Sequence, residues 1–387
     1  MIYLLVSLNR LWFQNHRLGF LRLFLDVTFQ TTVATLLSFA IVILFGPRTI
    51  RWLRRKKIGD QPNFDQDQMN KLMEGKKGTP TMGGILIIAA IAFTVLILAD
   101  LNNFYVRMAL VCLLWLGAVG AADDWLKLTS HAREQNSRQG LTSLEKLLFQ
   151  IGLAVVLAVF TWRYSTYEVS HAFFVPFFKR IQIPLPMGAF ILLVTLVLTG
   201  SSNAVNLTDG LDGLAAGCMG IASFAFVVLA LIAGSEEFTV SGRSLTEYLY
   251  LPQIPGSGQM AVLAGAMLGA SLGFLWFNCN PAQVFMGDTG SLALGGLLGY
   301  IAVVIRQELL LVIVGGVFVA EALSVMAQVS WFKYTRRRFG EGRRIFLMSP
   351  LHHHFQKKNW TENQVVVRFW LVGAMLAMLA LATVKIR

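Results

Sequence analysis

"NAVNLTDGLDGLAAGCMGIASFAFVVLALIA", residues 203–233, joins an acidic, glycine-broken knot to a long apolar run without a single charge. The second half decides the fold class, because about 20 such residues are what an α-helix needs to cross a bilayer core of about 30 Å. The first half poses the functional question. Two amides and two carboxylates, with no balancing cation, lie directly against a membrane span.

Outward from 214–233, nine more runs approach or reach the same length: about 23–46, 82–99, 107–122, 147–162, 186–200, 259–277, 291–305, 309–331 and 366–384. With 55% hydrophobic and 14% charged residues among 387, the chain departs from soluble usage in the direction of membrane proteins. The expectation is an all-α polytopic membrane protein of about ten transmembrane helices. It forms one integral-membrane domain over 1–387, with 1–22 as an amphipathic lead-in. Residues 1–30 lack a basic start, an unbroken apolar core and a small-residue cleavage site, so a removable signal peptide is not expected. Cys112, Cys218 and Cys279 show no paired spacing and are expected to be reduced and structural.

Orientation follows from the basic residues, since cytoplasmic loops carry the excess of Lys and Arg. The loops after the first, third and ninth runs hold most of the 33 Lys and Arg residues. That puts those loops in the cytoplasm and both termini on the periplasmic face. The net charge of +12 is then mainly a topology signal, with some attraction for anionic lipid or substrate. No nucleic-acid motif accompanies it.

Five polar stretches fall on the cytoplasmic side of that arrangement: "EGKKGTPTMGG" (74–84), "AADDWLKL" (121–128), "NAVNLTDGLDG" (203–213), "NCNPAQVFMGDTGS" (278–291) and "SPLHHHFQKKNW" (349–360). One cleft assembled from five loops is the economical reading. Asp123 and Asp124 follow an apolar span directly, where a lipid-facing charge is costly. Neighbouring helical residues point about 100° apart, so one carboxylate can face the site while the other accepts backbone or Lys127 hydrogen bonds. Asn203, Asn206, Asp209 and Asp212 recur every third residue, a density of acceptors suited to a hard cation or to the donor groups of a base and sugar. Asp288 sits between small residues that let a phosphate approach the backbone, and Phe285 offers a surface for stacking on a base.

His352, His353 and His354 lack the spacing of a metal site, which favours hydrogen bonding to phosphate. Lys76 and Lys77 stand between glycines without forming a P-loop, so nucleotide triphosphate hydrolysis has no support. Glu321 is the one carboxylate well inside an apolar run. It is open to a functional role or to an interhelix hydrogen bond.

In this order, "KKGTPTMGG", "ADDW", "NAVNLTDGLDG", "NPAQVFMGDTGSLALGG" and "SPLHHHF" resemble the bacterial phospho-N-acetylmuramoyl-pentapeptide transferases, members of the polyprenyl-phosphate hexosamine-1-phosphate transferase superfamily. The resemblance runs from about residue 40 to the end; "KYTRRRFGEGRRIF" (333–346) is longer than that pattern has before its histidines. It implies transfer of the phospho-muramoyl-pentapeptide from UDP-N-acetylmuramoyl-pentapeptide to undecaprenyl phosphate, giving lipid I and UMP, with Mg2+, by a homodimer in the bacterial inner membrane. It further implies catalytic roles for Asp123, Asp124 and Asp288, with the first two facing the lipid phosphate. Asp288 is the implied principal magnesium ligand, and Asn206 helps to hold the ion. Asp212 and Phe285 are implied to recognise uracil. Lys76, Thr81, Asn203, Asp209, Asn278 and Gln328 surround the remaining donor groups, and His352, His353 and His354 contact phosphate or sugar.

Phosphoryl transfer from a UDP-sugar brings negative groups together, and the inventory of Asp, Asn, Lys and His supplies both a metal site and cations. Two alternatives carry different signatures. A transferase using UDP-N-acetylglucosamine would share the aspartates, and a proton-coupled transporter would use Glu321 and show two similar halves. No internal repeat is evident.

Overall fold

The structure is a computed structural model that describes residues 1–8, 19–56, 78–132, 140–165, 167–175, 178, 181–234, 239–240, 243–249 and 251–384. Lys76 and Lys77 lie outside the described residues. Among those described, the only strands form two short hairpins, Ala172–Phe174 with Gln182–Pro184 and Thr239–Val240 with Arg243–Ser244. The rest of the architecture is helical.

Among the described residues, twelve helices build the body: α1 Val27–Arg55, α2 Gly84–Leu98, α3 Phe104–Ala132, α4 Ser143–Tyr164, α5 Met187–Thr208, α6 Leu214–Ala233, α7 Gln259–Asn278, α8 Gly287–Val304, α9 Glu308–Val314, α10 Gly316–Phe339, α11 Leu351–Lys357 and α12 Glu362–Thr383. Short helical turns at Ile2–Leu8, Gly19–Leu25, Glu168–His171 and Leu245–Leu249 flank them. Sequence marks several starts. Asp26 accepts the Phe29 amide at 2.7 Å, while Thr142 with Glu145 and Thr361 with Gln364 form reciprocal capping boxes.

Eight of these helices, α1 and α3 to α8 with α12, are long and apolar enough to cross a membrane. Each of the ten apolar runs becomes helical, but two are not simple spans. Helix α2 has only 15 residues. The run 309–331 is split into α9 and α10, whose axes differ by 84°. The break falls at Gly315–Gly316, and adjacent glycines are a recognised cause of sharp kinks.

Burial of apolar surface does not drive helices together inside lipid, so close backbone approach and interhelix hydrogen bonds must hold them. Helix α8 shows both. Every residue from Thr289 to Val304 is buried. A Cβ on its Gly295 would lie 2.6 Å from the Ser201 carbonyl of α5, so only glycine permits that crossing. The Ser202 hydroxyl donates to the Leu292 carbonyl at 3.0 Å, and Tyr300 shares a 3.1 Å hydrogen bond with Thr161 of α4. Outer helices instead expose Leu192, Leu196, Met375 and Met378, as surfaces facing lipid tails do.

Candidate active site

The polar stretches meet at one end of the bundle, where α3, α5 and α7 finish and α2, α4, α8 and α12 begin. The C-terminal part of α3 continues past the apolar run to Ala132 and carries Asp123, Asp124 and Lys127 on its exit. Gly120, one turn earlier, is what lets it lie on the first turn of α8: a Cβ there would overlap the Asp288 carbonyl. Asp124 thereby reaches the α8 terminus. Its two oxygens accept from the Asp288 amide (3.2 Å), the Thr289 amide (2.9 Å) and the Thr289 hydroxyl (2.6 Å). A buried carboxylate at a helix N-terminus satisfies amides that the helix itself leaves unpaired.

Asp123, on the same helix but rotated away, takes the other role. One of its oxygens accepts the Leu141 amide at 2.7 Å, and the other contacts the ammoniums of Lys127 and Lys146, each at 2.7 Å. Both lysines also reach Asp288, Lys146 at 2.6 Å and Lys127 at 3.2 Å. The remaining Asp288 oxygen accepts the Asn206 side-chain amide at 2.9 Å, and that amide also donates to Ser291 at 2.9 Å. Carboxylate oxygens of Asp123, Asp124 and Asp288 lie within 4.8 Å of one another, and such a group of hard oxygen donors could hold a metal ion. Three formal negative charges face two ammoniums, so the donor set fits a small divalent cation.

Lys146 is the residue that the sequence did not point to. Its only signal is position, one residue beyond the Thr142–Glu145 capping box that opens α4, and an isolated lysine there reads as a topology determinant.

The 203–213 stretch is not a loop throughout: it stays helical to Thr208 and turns only from Asp209, and its side chains take different partners. Asn203 is tied into the helix layer, donating to Gln150 at 2.6 Å and to the Thr199 carbonyl at 2.8 Å. Asn206 belongs to the acidic cluster. Asp209 ends α5, and burial raises its carboxyl to about 7, with repulsion from Asp288 and Asp124 adding to the effect. Asp212 accepts from the Asn280 side chain at 3.1 Å and the Ala282 amide at 3.0 Å, while its own amide donates to Glu362 at 2.8 Å. Gly213, with φ +79°, starts α6 in a left-handed conformation that glycine adopts freely. Its amide donates to Asn278 at 3.1 Å, and Asn278 in turn donates to the Val284 carbonyl at 2.8 Å.

Two further segments frame the cluster. The chain from Pro80 to Gly84 pairs with 285–286: Phe285 donates to the Pro80 carbonyl at 2.8 Å, and Gly83 donates to the Phe285 carbonyl at 2.9 Å. Thr81 and Phe285 are each partly buried, and the Thr81 hydroxyl lies against Gly287, the residue before Asp288. The Arg-rich arm is folded back on α10, with Gln328 accepting from the Ile345 and Phe346 amides at 3.0 Å each and Thr335 accepting from Arg343 at 2.8 Å. The histidines diverge. His354 accepts the Leu347 amide at 3.1 Å, His353 bonds Gln356 at 2.8 Å, and His352 turns inward to Glu321.

These features define a polytopic helical membrane protein with an acidic and cationic cluster at one end of its spans. The sequence model of glycosyl transferase family 4 matches residues 106–306, just over half of the chain, and the protein belongs to that family. Ahead of that region, residues 76–88 match the phospho-N-acetylmuramoyl-pentapeptide-transferase signature 1. That places the chain with the transferases of phospho-N-acetylmuramoyl-pentapeptide to undecaprenyl phosphate, enzymes of peptidoglycan precursor synthesis. The N-acetylglucosamine-type transferase and the transporter are the readings this disfavours.

Proposed function

We propose that the cluster of Asp123, Asp124 and Asp288 is the magnesium site at which this transferase makes lipid I and releases UMP. The observation that carries the reading is the convergence of these three carboxylates within 4.8 Å of one another, with the Lys127 and Lys146 ammoniums bridging Asp123 and Asp288. Magnesium bound there supplies charge neutralisation and in-line orientation for the phosphates.

Asp288 is its principal ligand, and Asn206 lies beside it. Asp124 holds the α8 terminus through Thr289, and Asp123 positions the acceptor phosphate. A phosphate monoester has a second pKa of about 6, so at pH 7 the acceptor needs little help in losing a proton. An acceptor oxygen forms a bond to the β-phosphorus of the UDP donor. The bond from that phosphorus to the bridging oxygen breaks, and its electron pair leaves with UMP. Lys127 and Lys146 screen the negative groups as they approach.

Phe285 stacks on the uracil and Asp212 reads it. Lys76, Thr81, Asn203, Asp209, Asn278 and Gln328 frame the rest of the donor, some by holding its loops, and His352, His353 and His354 serve its phosphate and sugar. The chain acts as one domain over 1–387, as a homodimer in the bacterial inner membrane, with the cluster facing the cytoplasm and both termini the periplasm.

A UMP-release assay with UDP-N-acetylmuramoyl-pentapeptide and undecaprenyl phosphate, with and without magnesium, tests the reading. Activity that survives EDTA would remove the metal. Exchange of UMP into the donor without any lipid acceptor would replace direct attack by a covalent route through Asp288.

A further inference from the structure

Glu321 is fully buried in α10, and His352, in α11, is 1% exposed. Two contacts join them. One Glu321 oxygen accepts the His352 backbone amide at 3.1 Å, and the other lies 3.2 Å from His352 Nδ1. That 3.2 Å approach is an electrostatic contact and not an aligned hydrogen bond, so both ring nitrogens lack a hydrogen-bond partner among the described residues, and no ion-pair contact there reaches the second, Nε2. It points at the 209–213 turn, where a Cβ on Gly210 would overlap it.

An unpartnered buried nitrogen is costly, and it persists in native structures mainly where something else completes it. A carboxylate 3.2 Å from Nδ1 favours the tautomer whose hydrogen sits on that nitrogen, because the alternative sets two lone pairs against each other, and this determines what Nε2 can offer. We propose that Glu321 is a positioning residue: it latches the histidine loop through the His352 amide, keeps the hydrogen on Nδ1, and aims Nε2 across Gly210 at the loop that frames the donor. The carboxylate inside the apolar span thereby gains a purpose that neither proton transport nor a general interhelix contact provides. The inference rests on the proposed function only in taking the 209–213 turn as donor-binding.

Glu321→Gln separates latch from tautomer. The His352 amide keeps the glutamine oxygen facing it, which leaves the glutamine NH2 to donate to Nδ1 and moves the histidine hydrogen to Nε2. In substrate-free, 15N-histidine-labelled full-length protein near pH 8, with His352 signals identified by their loss in His352→Asn, Nδ1 should be the protonated nitrogen in the wild type and Nε2 in Glu321→Gln. Amide exchange of residues 351–357 should stay slow in Glu321→Gln and become fast in Glu321→Ala. An unprotonated Nδ1 in the wild type, or a ring unaffected by Glu321→Gln, overturns the proposal. These readouts hold whatever the substrate, so they distinguish its failure from failure of the functional reading.

In UMP release, Glu321→Gln should lower kcat/KM by about 10- to 100-fold, by analogy with the loss of a partner that orients a metal-bound histidine. Added to His352→Asn, it should cost less than about twofold, because a residue acting only through His352 has nothing left to act on. Fully additive losses would overturn the positioning role.

Discussion

Helix α8 ends on a cluster of buried charges at each terminus, about 27 Å apart for its 18 residues. At the far end, Arg306 and Glu308 are 1% and 2% exposed and 3.0 Å apart, and the guanidinium lies 4.4 Å from the Phe190 ring centroid. At the near end, Asp288 is 14% exposed, Lys146 18% and Lys127 44%; Asp123 and Asp288 share the two ammoniums, and a third carboxylate, Asp124, has an oxygen within 4.8 Å of theirs. The far pair is matched one to one and sealed by an aromatic ring. The near cluster has a surplus of negative charge and an opening to water. Buried charge by itself therefore does not distinguish a site from a structural pair, whereas unequal charge with access does.

The sharpest way to break the comparison is to neutralise one member at each end. Asp288→Asn should lower kcat for UMP release by about 10³-fold or more, about 4 kcal/mol of barrier, with little change in thermal unfolding. Retained activity would move the site elsewhere. Arg306→Met should do the reverse. It leaves Glu308 buried and unpaired, at a cost of about 3–5 kcal/mol in stability, while activity per folded molecule stays within about twofold. Replacing both members, Arg306→Met with Glu308→Leu, should recover most of that loss, because an apolar pair needs no partner charge. A double variant as unstable as the single one would mean the pair is not self-contained.

Lys146→Met has a smaller effect that reads out both stability and metal. Its ammonium bridges Asp123 and Asp288 at 2.7 and 2.6 Å, so its loss leaves carboxylates in mutual repulsion. In EDTA the variant should unfold about 1 °C below wild type, corresponding to about 1 kcal/mol for a chain of 387 residues. Millimolar magnesium should restore more stability to the variant than to wild type, since the resident cation no longer competes. Equal responses to magnesium would place the ion away from Lys146.

The two ends also differ in how far they could be read from sequence. The near cluster was legible because Asp123, Asp124, Asn206 and Asp288 fall in short polar stretches against apolar runs, and the cost of such placement marks them. Their division of labour was not legible. That Asp124 holds Thr289 while Asp123 meets the lysines depends on the rotation of α3 against α8, which Gly120 sets by close contact. The split of 309–331 into two helices was hidden because glycine is common in membrane helices and signals a kink only when its neighbours pack to exploit it. Arg306 and Glu308 fall in the three-residue gap between the apolar runs 291–305 and 309–331. Nothing in two charges separated by one residue announces that Phe190, on a helix a hundred positions earlier, will cover them.

Asp209 provides the mildest test of charge surplus at the near end. Its carboxyl is raised from 3.8 to about 7, first by burial and then by the repulsion of Asp288 and Asp124. Below pH 3.8 both folded and unfolded chains hold this proton, and its contribution to stability is complete. As pH rises the unfolded chain releases the proton first while the folded chain keeps it, so stability falls across the window from 3.8 to about 7 and is level above it. Thermal unfolding in EDTA should therefore occur at progressively lower temperature between pH 5 and 7, and Asp209→Asn should flatten that slope. Magnesium should flatten it too, because a cation among the neighbouring carboxylates removes the repulsion that helps to keep Asp209 protonated. A slope unchanged by both treatments would mean that Asp209 does not feel the acidic cluster, and would make the near end as self-contained as the far one.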